Sequence, residues 1–307
     1  MTRPRRVVPG ATVLLTRRCT ERRFLLVPRD VTPKLFRYLV ALTAKRHGLL
    51  IHAVSVMTNH YHILATDMRG CHPDFARDLD SMVARALNAE YGRSEAVWSS
   101  RGLNTVEVIG QQAVWDKLVY TIANPVAAGL VRTPADWPGF RTLPRDIATG
   151  PIPVRRPTAR WFRTSRAPKE ATLELTIPPA LSHLEPDEFR AELTRRVGER
   201  VAEIRAQMKR EKRSFMGRRR VMKQPRDGKP KKPETHFGRV PAIACKDPTR
   251  RKQELKALRE FLTLYAEARE RWLDGDAEVL FPFGTFEMVR LQGARCPRAP
   301  PETDRAA

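Results

Sequence analysis

The sequence predicts an α+β fold: an antiparallel or mixed sheet with helices on one face, joined to a mainly helical, basic extension. Two observations predict the sheet and one the extension. Apolar runs of strand length alternate with segments of helical period through the first half of the chain. The runs on either side of Thr58-Asn59 are close enough to form a hairpin, which makes neighbouring strands antiparallel. Beyond residue 145, Pro151, Pro153 and Pro157 lie among arginines before helical periods resume.

Residues 11–16 are β-prone and apolar, and Arg17 to Arg23 follow as a charged loop, so the first strand leads into a basic rim. Thr32-Pro33 offers a helix start, with Leu35, Leu39 and Leu42 as its stripe and His47-Gly48 as its stop. The branched, apolar run from Leu49 to Met57 reads as a strand, turning at Thr58-Asn59 into a second strand that begins at His60. Cys71-His72-Pro73 breaks the pattern. A helix follows with Phe75, Leu79, Met82, Val83, Ala86 and Leu87 on one side, ending at Tyr91-Gly92. After the loop Trp98-Ser-Ser-Arg-Gly102, a strand covers Thr105 to Ile109. A helix through Trp115, Leu118, Val119 and Ile122 then runs up to Asn124-Pro125, where proline should end it.

The domains expected are a catalytic-type domain over 1–145, a Pro/Arg-rich linker over 146–170, a basic helical extension over 171–296 and a disordered tail over 297–307. Within the extension, residues 171–177 suggest a strand, and Pro186-Asp187 opens a long helix to about Lys212. The last helix spans about Thr249 to Asp274, and Val279 to Met288 can pack across a neighbour. The stretch from Lys209 to Pro233 holds twelve lysines and arginines against two acids and reads as a mobile basic arm.

At 307 residues the chain is long enough for a sizeable core, and its four cysteines lie too far apart for a zinc ribbon or a disulfide framework. With no apolar run of spanning length and no signal-peptide core, the expectation is a soluble cytoplasmic protein, nucleoid-associated and away from membranes. The formal net charge of +23 makes a polyanion the favoured partner, because bound lysines and arginines release counterions from phosphates. The expected DNA contacts are Arg17, Arg18, Arg22 and Arg23 on the rim, Arg101 in its loop, and Lys209, Arg210, Lys212, Arg213, Arg218, Arg219 and Arg220 in the arm.

Chemistry concentrates at Met57-Thr-Asn-His-Tyr-His-Ile-Leu64. On a strand, His60 and His62 share a face and Tyr61 takes the other. Two imidazoles so placed can hold adjacent positions of a divalent metal, although a strand with two hydrogen-bonded histidines reads the same way. Tyr120 lies four residues before Asn124, which puts a nucleophile and a metal-suited oxygen on one helix face.

Over about residues 5–143 the chain resembles the single-tyrosine HUH transposases, of the REP-associated tyrosine transposase type. The resemblance is carried by Pro9-Gly10, Ser55-Val-Met-Thr-Asn-His-Tyr-His-Ile-Leu64, Tyr120-Thr-Ile-Ala-Asn-Pro-Val-Ala-Ala-Gly-Leu-Val131 and Trp137-Pro138. It implies a ferredoxin-like HUH fold in which His60, His62 and Asn124 bind Mg²⁺ or Mn²⁺ and Tyr120 attacks DNA. The chain departs from the family at Val13-Leu14, where a Tyr-His pair is usual, and at Trp98-Ser-Ser-Arg-Gly102, where an aromatic-Gln-Gly-Arg loop is usual.

The function expected is therefore a transposase that cleaves and rejoins single-stranded, hairpin-forming DNA through a 5′-phosphotyrosine. Two alternatives stand beside it: a domesticated hairpin-binding protein that no longer transposes, and a rolling-circle relaxase or replication initiator. A homodimer is left open.

Overall fold

The computed structural model describes residues 4–29, 31–163, 166–231 and 241–297. Its first half contains β1 (Ala11–Arg18), α1 (Val31–His47), β2 (Leu49–Val56), β3 (His60–Asp67), α2 (His72–Tyr91), β4 (Asn104–Ile109) and α3 (Gln111–Ala127). The second contributes β5 (Ile152–Arg155), β6 (Glu170–Leu173), α4 (Pro186–Arg210), α5 (Arg218–Met222), β7 (Ile243–Cys245), α6 (Pro248–Leu273) and α7 (Glu287–Gln292).

The α+β class holds, with a mixed five-stranded sheet in the order β2-β3-β1-β4-β7. All its pairs are antiparallel except β4 with β7. In the β1–β3 register, Thr16 lies opposite His62 and Arg18 opposite His60. β1 therefore carries Arg17 and Arg18 inside the sheet, beyond the strand end expected from its apolar residues.

Helices cover both faces of this sheet rather than one. Tyr61 meets Phe36 of α1, with ring centroids 5.9 Å apart, and donates to Asp80 of α2 at 2.8 Å. His62, pointing the other way, meets Tyr120 of α3 at 5.2 Å. The reason lies in β2 and β3, whose residues are buried almost throughout. A strand apolar on both sides needs a layer on both sides.

α3 does not stop at Pro125. The proline sits inside the helix, and Ala128, Gly129 and Leu130 donate backwards to the Asn124, Val126 and Pro125 carbonyls at 2.9, 2.8 and 3.0 Å. These bonds satisfy the last carbonyls and carry the helix one turn past the missing N–H. Asn124 is thus a helix-interior residue. Nearby, the Trp137 indole donates to the Val56 carbonyl at 2.9 Å. Gly139 is required beside it, since a Cβ there would stand 2.4 Å from the Trp137 Nε1 and 2.8 Å from that carbonyl.

Composition changes at residue 145, but the core does not. Leu173, Leu175, Leu181, Phe189 and Leu193 belong to the same buried cluster as Leu15, Phe36 and Tyr61. β5 and β6 form a hairpin against α1, and Thr176 donates to the Ile51 carbonyl at the β2 edge at 2.8 Å. α4 buries one stripe, Phe189, Leu193, Val197, Val201, Ile204 and Met208, with Phe189 stacked on Trp115 of α3 at 5.2 Å. A smaller cluster gathers Ala268, Val279, Phe281 and Ala294 under α6.

The stretch read as a mobile arm is docked over its described part; its last residues, Lys232 and Pro233, lie outside the described residues, as do 298–307 of the tail. Met216 and Gly217 donate to the Gly129 and Leu130 carbonyls, both at 2.9 Å, and Val221 of α5 is fully buried. Farther on, Phe24 donates to the Gly228 carbonyl at 2.9 Å and Arg226 lies 3.7 Å over the Tyr91 ring. The few apolar side chains among the charges supply the anchors that a count of charges hides.

Candidate active site

The β2–β3 hairpin presents His60 and His62 on one face of β3, their ring centroids 4.8 Å apart. Alternation along the strand does this, and each ring is then fixed by a neighbour. His60 Nδ1 lies 2.7 Å from Asn59 Oδ1. Because Asn59 Nδ2 donates to the Arg22 carbonyl at 3.1 Å, the oxygen faces the ring, so His60 must carry its proton on Nδ1. Its Nε2 keeps the lone pair.

His62 Nδ1 lies 2.8 Å from Thr16 Oγ1, its cross-strand partner. The other nitrogen, Nε2, is buried and has no hydrogen-bond partner among the described residues. An orphaned ring nitrogen inside a protein is costly unless something binds it. Burial is also the first cause of both depressed histidine pKa values. His60 is held down to about 4, helped by the charges of Arg18 and Arg22. His62 is held well below its ordinary value, helped by His60, Arg18 and Lys117. Both rings are therefore neutral near pH 7, the form that ligates metals.

α3 brings the remaining groups. Tyr120 is 45% exposed, whereas Asn124, one turn on, is buried. Burial raises the Tyr120 pKa, and a hydrogen bond from Asn124 and the Arg18 charge oppose that rise. The Asn124 amide offers both an N–H donor suited to a phenolate and an oxygen suited to a cation. Lys117 Nζ stands 5.6 Å over the Tyr120 ring.

The donor set has the chemistry of a divalent-cation site. Two imidazole nitrogens and an amide oxygen are available, and the buried His62 Nε2 lacks any other partner. The set carries no carboxylate, and among the described residues no group of three or more His, Cys, Asp or Glu stands together. An uncharged set holds a hard cation weakly by itself.

The basic residues divide. Arg18 belongs to the site through its effect on His60, His62 and Tyr120. Arg17 does not. Pointing to the opposite face, it ion-pairs with Asp80 at 3.1 Å and lies 5.9 Å over Trp98, which commits its charge away from any DNA surface. Strand alternation is the reason. Arg22 holds Asn59 through its carbonyl, and Arg23 pairs with Glu21 at 2.8 Å. Arg101 is exposed in the loop after Trp98, whose Ser99 N–H donates to the Arg18 carbonyl at 2.9 Å. Lys209, Arg210, Lys212, Arg213, Arg218, Arg219 and Arg220 are exposed near the C-terminal end of α3.

Sequence reasoning missed Thr16 and Asn59. Asn59 stood in plain view beside His60, but Thr16 becomes visible only once the strands are in register.

Solved structures similar to this chain include the following two. A REP-associated tyrosine transposase bound to a REP hairpin aligns at 22% identity and TM-score 0.41, over 49% of this chain and 87% of the other. A candidate transposase from Deinococcus radiodurans R1 aligns at 18% identity and TM-score 0.29, over 40% of this chain and 97% of the other. No family model matches, and no curated protein does. The roles of individual side chains rest on their geometry.

Among the described residues, no helix is long and apolar enough to cross a membrane.

Proposed function

We propose that this protein is a metal-dependent DNA strand transferase of the transposase type, acting on single-stranded, hairpin-forming DNA. The observation that carries the reading is the meeting of an exposed tyrosine with two neutral histidines, one of which has a buried nitrogen with nothing to bind. His60, His62 and Asn124 would hold Mg²⁺ or Mn²⁺. When bound, such a cation supplies Lewis-acid chemistry, offsetting charge on a phosphodiester oxygen.

The chain's own residues do the rest. Tyr120 Oη attacks the phosphorus, a phosphotyrosine bond forms at the 5′ side of the break, and the P–O3′ bond opens to release a 3′-hydroxyl. The phenolic proton leaves to water and the departing O3′ gains one, so the step is balanced and reversible. Asn124 and Arg18 steady the phenolate that attacks, and Thr16 and Asn59 keep the imidazole lone pairs aimed away from β1 and the Arg22 loop. Because one phosphodiester replaces another, the stored bond serves rejoining better than hydrolysis.

The test is Tyr120→Phe, which keeps the ring but removes the attacking oxygen. Incubated with labelled single-stranded hairpins and Mn²⁺, the wild type should give a covalent adduct whose nucleotide maps to the Tyr120 peptide. Tyr120→Phe should give neither adduct nor free 3′-hydroxyl, while still binding uncleaved hairpin. Normal cleavage by Tyr120→Phe, or an adduct on Tyr91, would remove the reading.

A further inference from the structure

We infer that the cavity along the N-terminal half of α6, beside the turn that leads from β7, is a phosphate-binding site for single-stranded nucleic acid running away from Tyr120. The inference rests on the proposed role of Tyr120 for its direction, though its chemistry stands on the cavity. About 270 Å³ in volume, the cavity is lined by Lys246, Pro248, Arg251, Lys252, Leu255 and Arg259. Arg251, Leu255 and Arg259 follow at four-residue intervals on α6 and so share a face.

Several cations elsewhere in the protein are paired with carboxylates. Lys256 reaches Glu260 at 3.8 Å, Arg195 reaches Glu199 at 2.5 Å, and Arg6 lies 3.2 Å from both Glu107 and Glu254. Arg251, Lys252 and Arg259 have no carboxylate partner among the described residues. Three such cations around one hollow repel one another, and a polyanion relieves the repulsion. Pro248 and Leu255 add an apolar patch against which a sugar or base face can rest.

The cavity also connects with the candidate active site. Lys246 Nζ is 3.0 Å from Asp116 of α3, and the next residue, Lys117, lies over the Tyr120 ring. Lys117 and Lys246 therefore lie between Tyr120 and the cavity, on either side of Asp116. At the other end of α3, the segment around Arg213 and Arg218 adjoins Gly129 and Leu130. A strand crossing at Tyr120 thus meets a basic surface on either side, which favours a polynucleotide over a free nucleotide.

The test uses the full chain with Arg251→Gln, Lys252→Gln and Arg259→Gln combined, all surface changes whose effect on folding circular dichroism would expose. Oligothymidines of increasing length are bound without divalent metal, so that cleavage plays no part, and affinity is followed against salt. On long oligomers the triple variant should lower the salt slope by about two, near 0.7 for each lost contact. The shortest oligomers should show a smaller loss. Oligothymidine carrying 5-iodouracil should crosslink to the peptide spanning 246–259.

An unchanged slope, an equal loss at every length, or no crosslink in that peptide would overturn the inference. So would inorganic phosphate filling the cavity while oligothymidine binding ignores the three substitutions. Failure of the Tyr120 reading is a separate result, because it appears in adduct formation and leaves the metal-free slope untouched.

Discussion

Asn59 works in two directions, its amide nitrogen on the Arg22 carbonyl and its oxygen on His60. Thr16 Oγ1, from the neighbouring strand, orients the His62 ring at 2.8 Å from its Nδ1. Residues behind a ligand commonly change metal affinity by about 10- to 100-fold. Asn59→Ala and Thr16→Val should therefore weaken Mn²⁺ binding, read by electron paramagnetic resonance, with Thr16→Ser restoring it. His60→Ala with His62→Ala should abolish both binding and cleavage while the fold survives; cleavage at the wild-type rate would refute the metal assignment. Another histidine has a different task. His52, fully buried at the register shift in β2, contacts Thr66 Oγ1 at 2.8 Å and the Thr176 carbonyl at 2.9 Å. Burial lowers its pKa to about 4. A histidine depressed in the fold binds fewer protons there than in the unfolded chain, so its contribution is present above about pH 6.5 and is lost as pH falls towards 4. The loss is on the order of 3 kcal/mol. Denaturant melts across this window should be flatter for His52→Gln than for the wild type, and equal slopes would contradict the assignment.

The basic segment behaves as an element with two sides. Its inner side, with Val221 buried and Met216 and Gly217 bonded to the end of α3, is structural. Its outer side carries Lys209, Arg210, Lys212 and the three arginines of α5, all exposed. Deleting the segment would mix the two effects, so neutralising Arg218, Arg219 and Arg220 to Gln is the cleaner experiment. Since dense exposed charges contact phosphates without reading bases, affinity should fall by a similar factor for every DNA and the salt dependence should flatten. A loss confined to one hairpin sequence would speak against this. α3 shows the same division: its buried face packs on the sheet and Phe189, while Tyr120 faces out at the level of the histidines.

For the whole molecule, the second half completes the core of the first. Leu173, Leu175, Leu181, Phe189 and Leu193 are all nearly inaccessible. Their burial is worth on the order of 10 kcal/mol, comparable with the entire stability of an ordinary domain. A fragment ending at residue 145 should therefore be aggregated or loosely folded, although it contains every catalytic-type residue. Thermal melting of that fragment beside the full chain checks this, and a cooperative transition at the full-length temperature would show the extension to be dispensable for the fold.

The sequence by itself determined the order of strands and helices in the first half, the hairpin at Thr58-Asn59 and the shared face of His60 and His62. Each of these depends on local periodicity, which a strand or helix expresses wherever it lies. Single-residue spacing also put Tyr120 and Asn124 on one helix face. Tertiary structure alone decided that α3 lies against the histidine face rather than beside α1 and α2, because pairing across distant residues determines which side a helix covers. It decided that Thr16 stands behind His62, a matter of register between strands far apart in the chain. The fates of Arg17 and Arg18, adjacent and chemically alike, were settled the same way: one is half-buried with Asp80 and the other lies on the face of Tyr120. Composition marked residue 145 as a boundary, but solvent exclusion acts on area rather than composition, and the apolar side chains on both sides of that point share one interior.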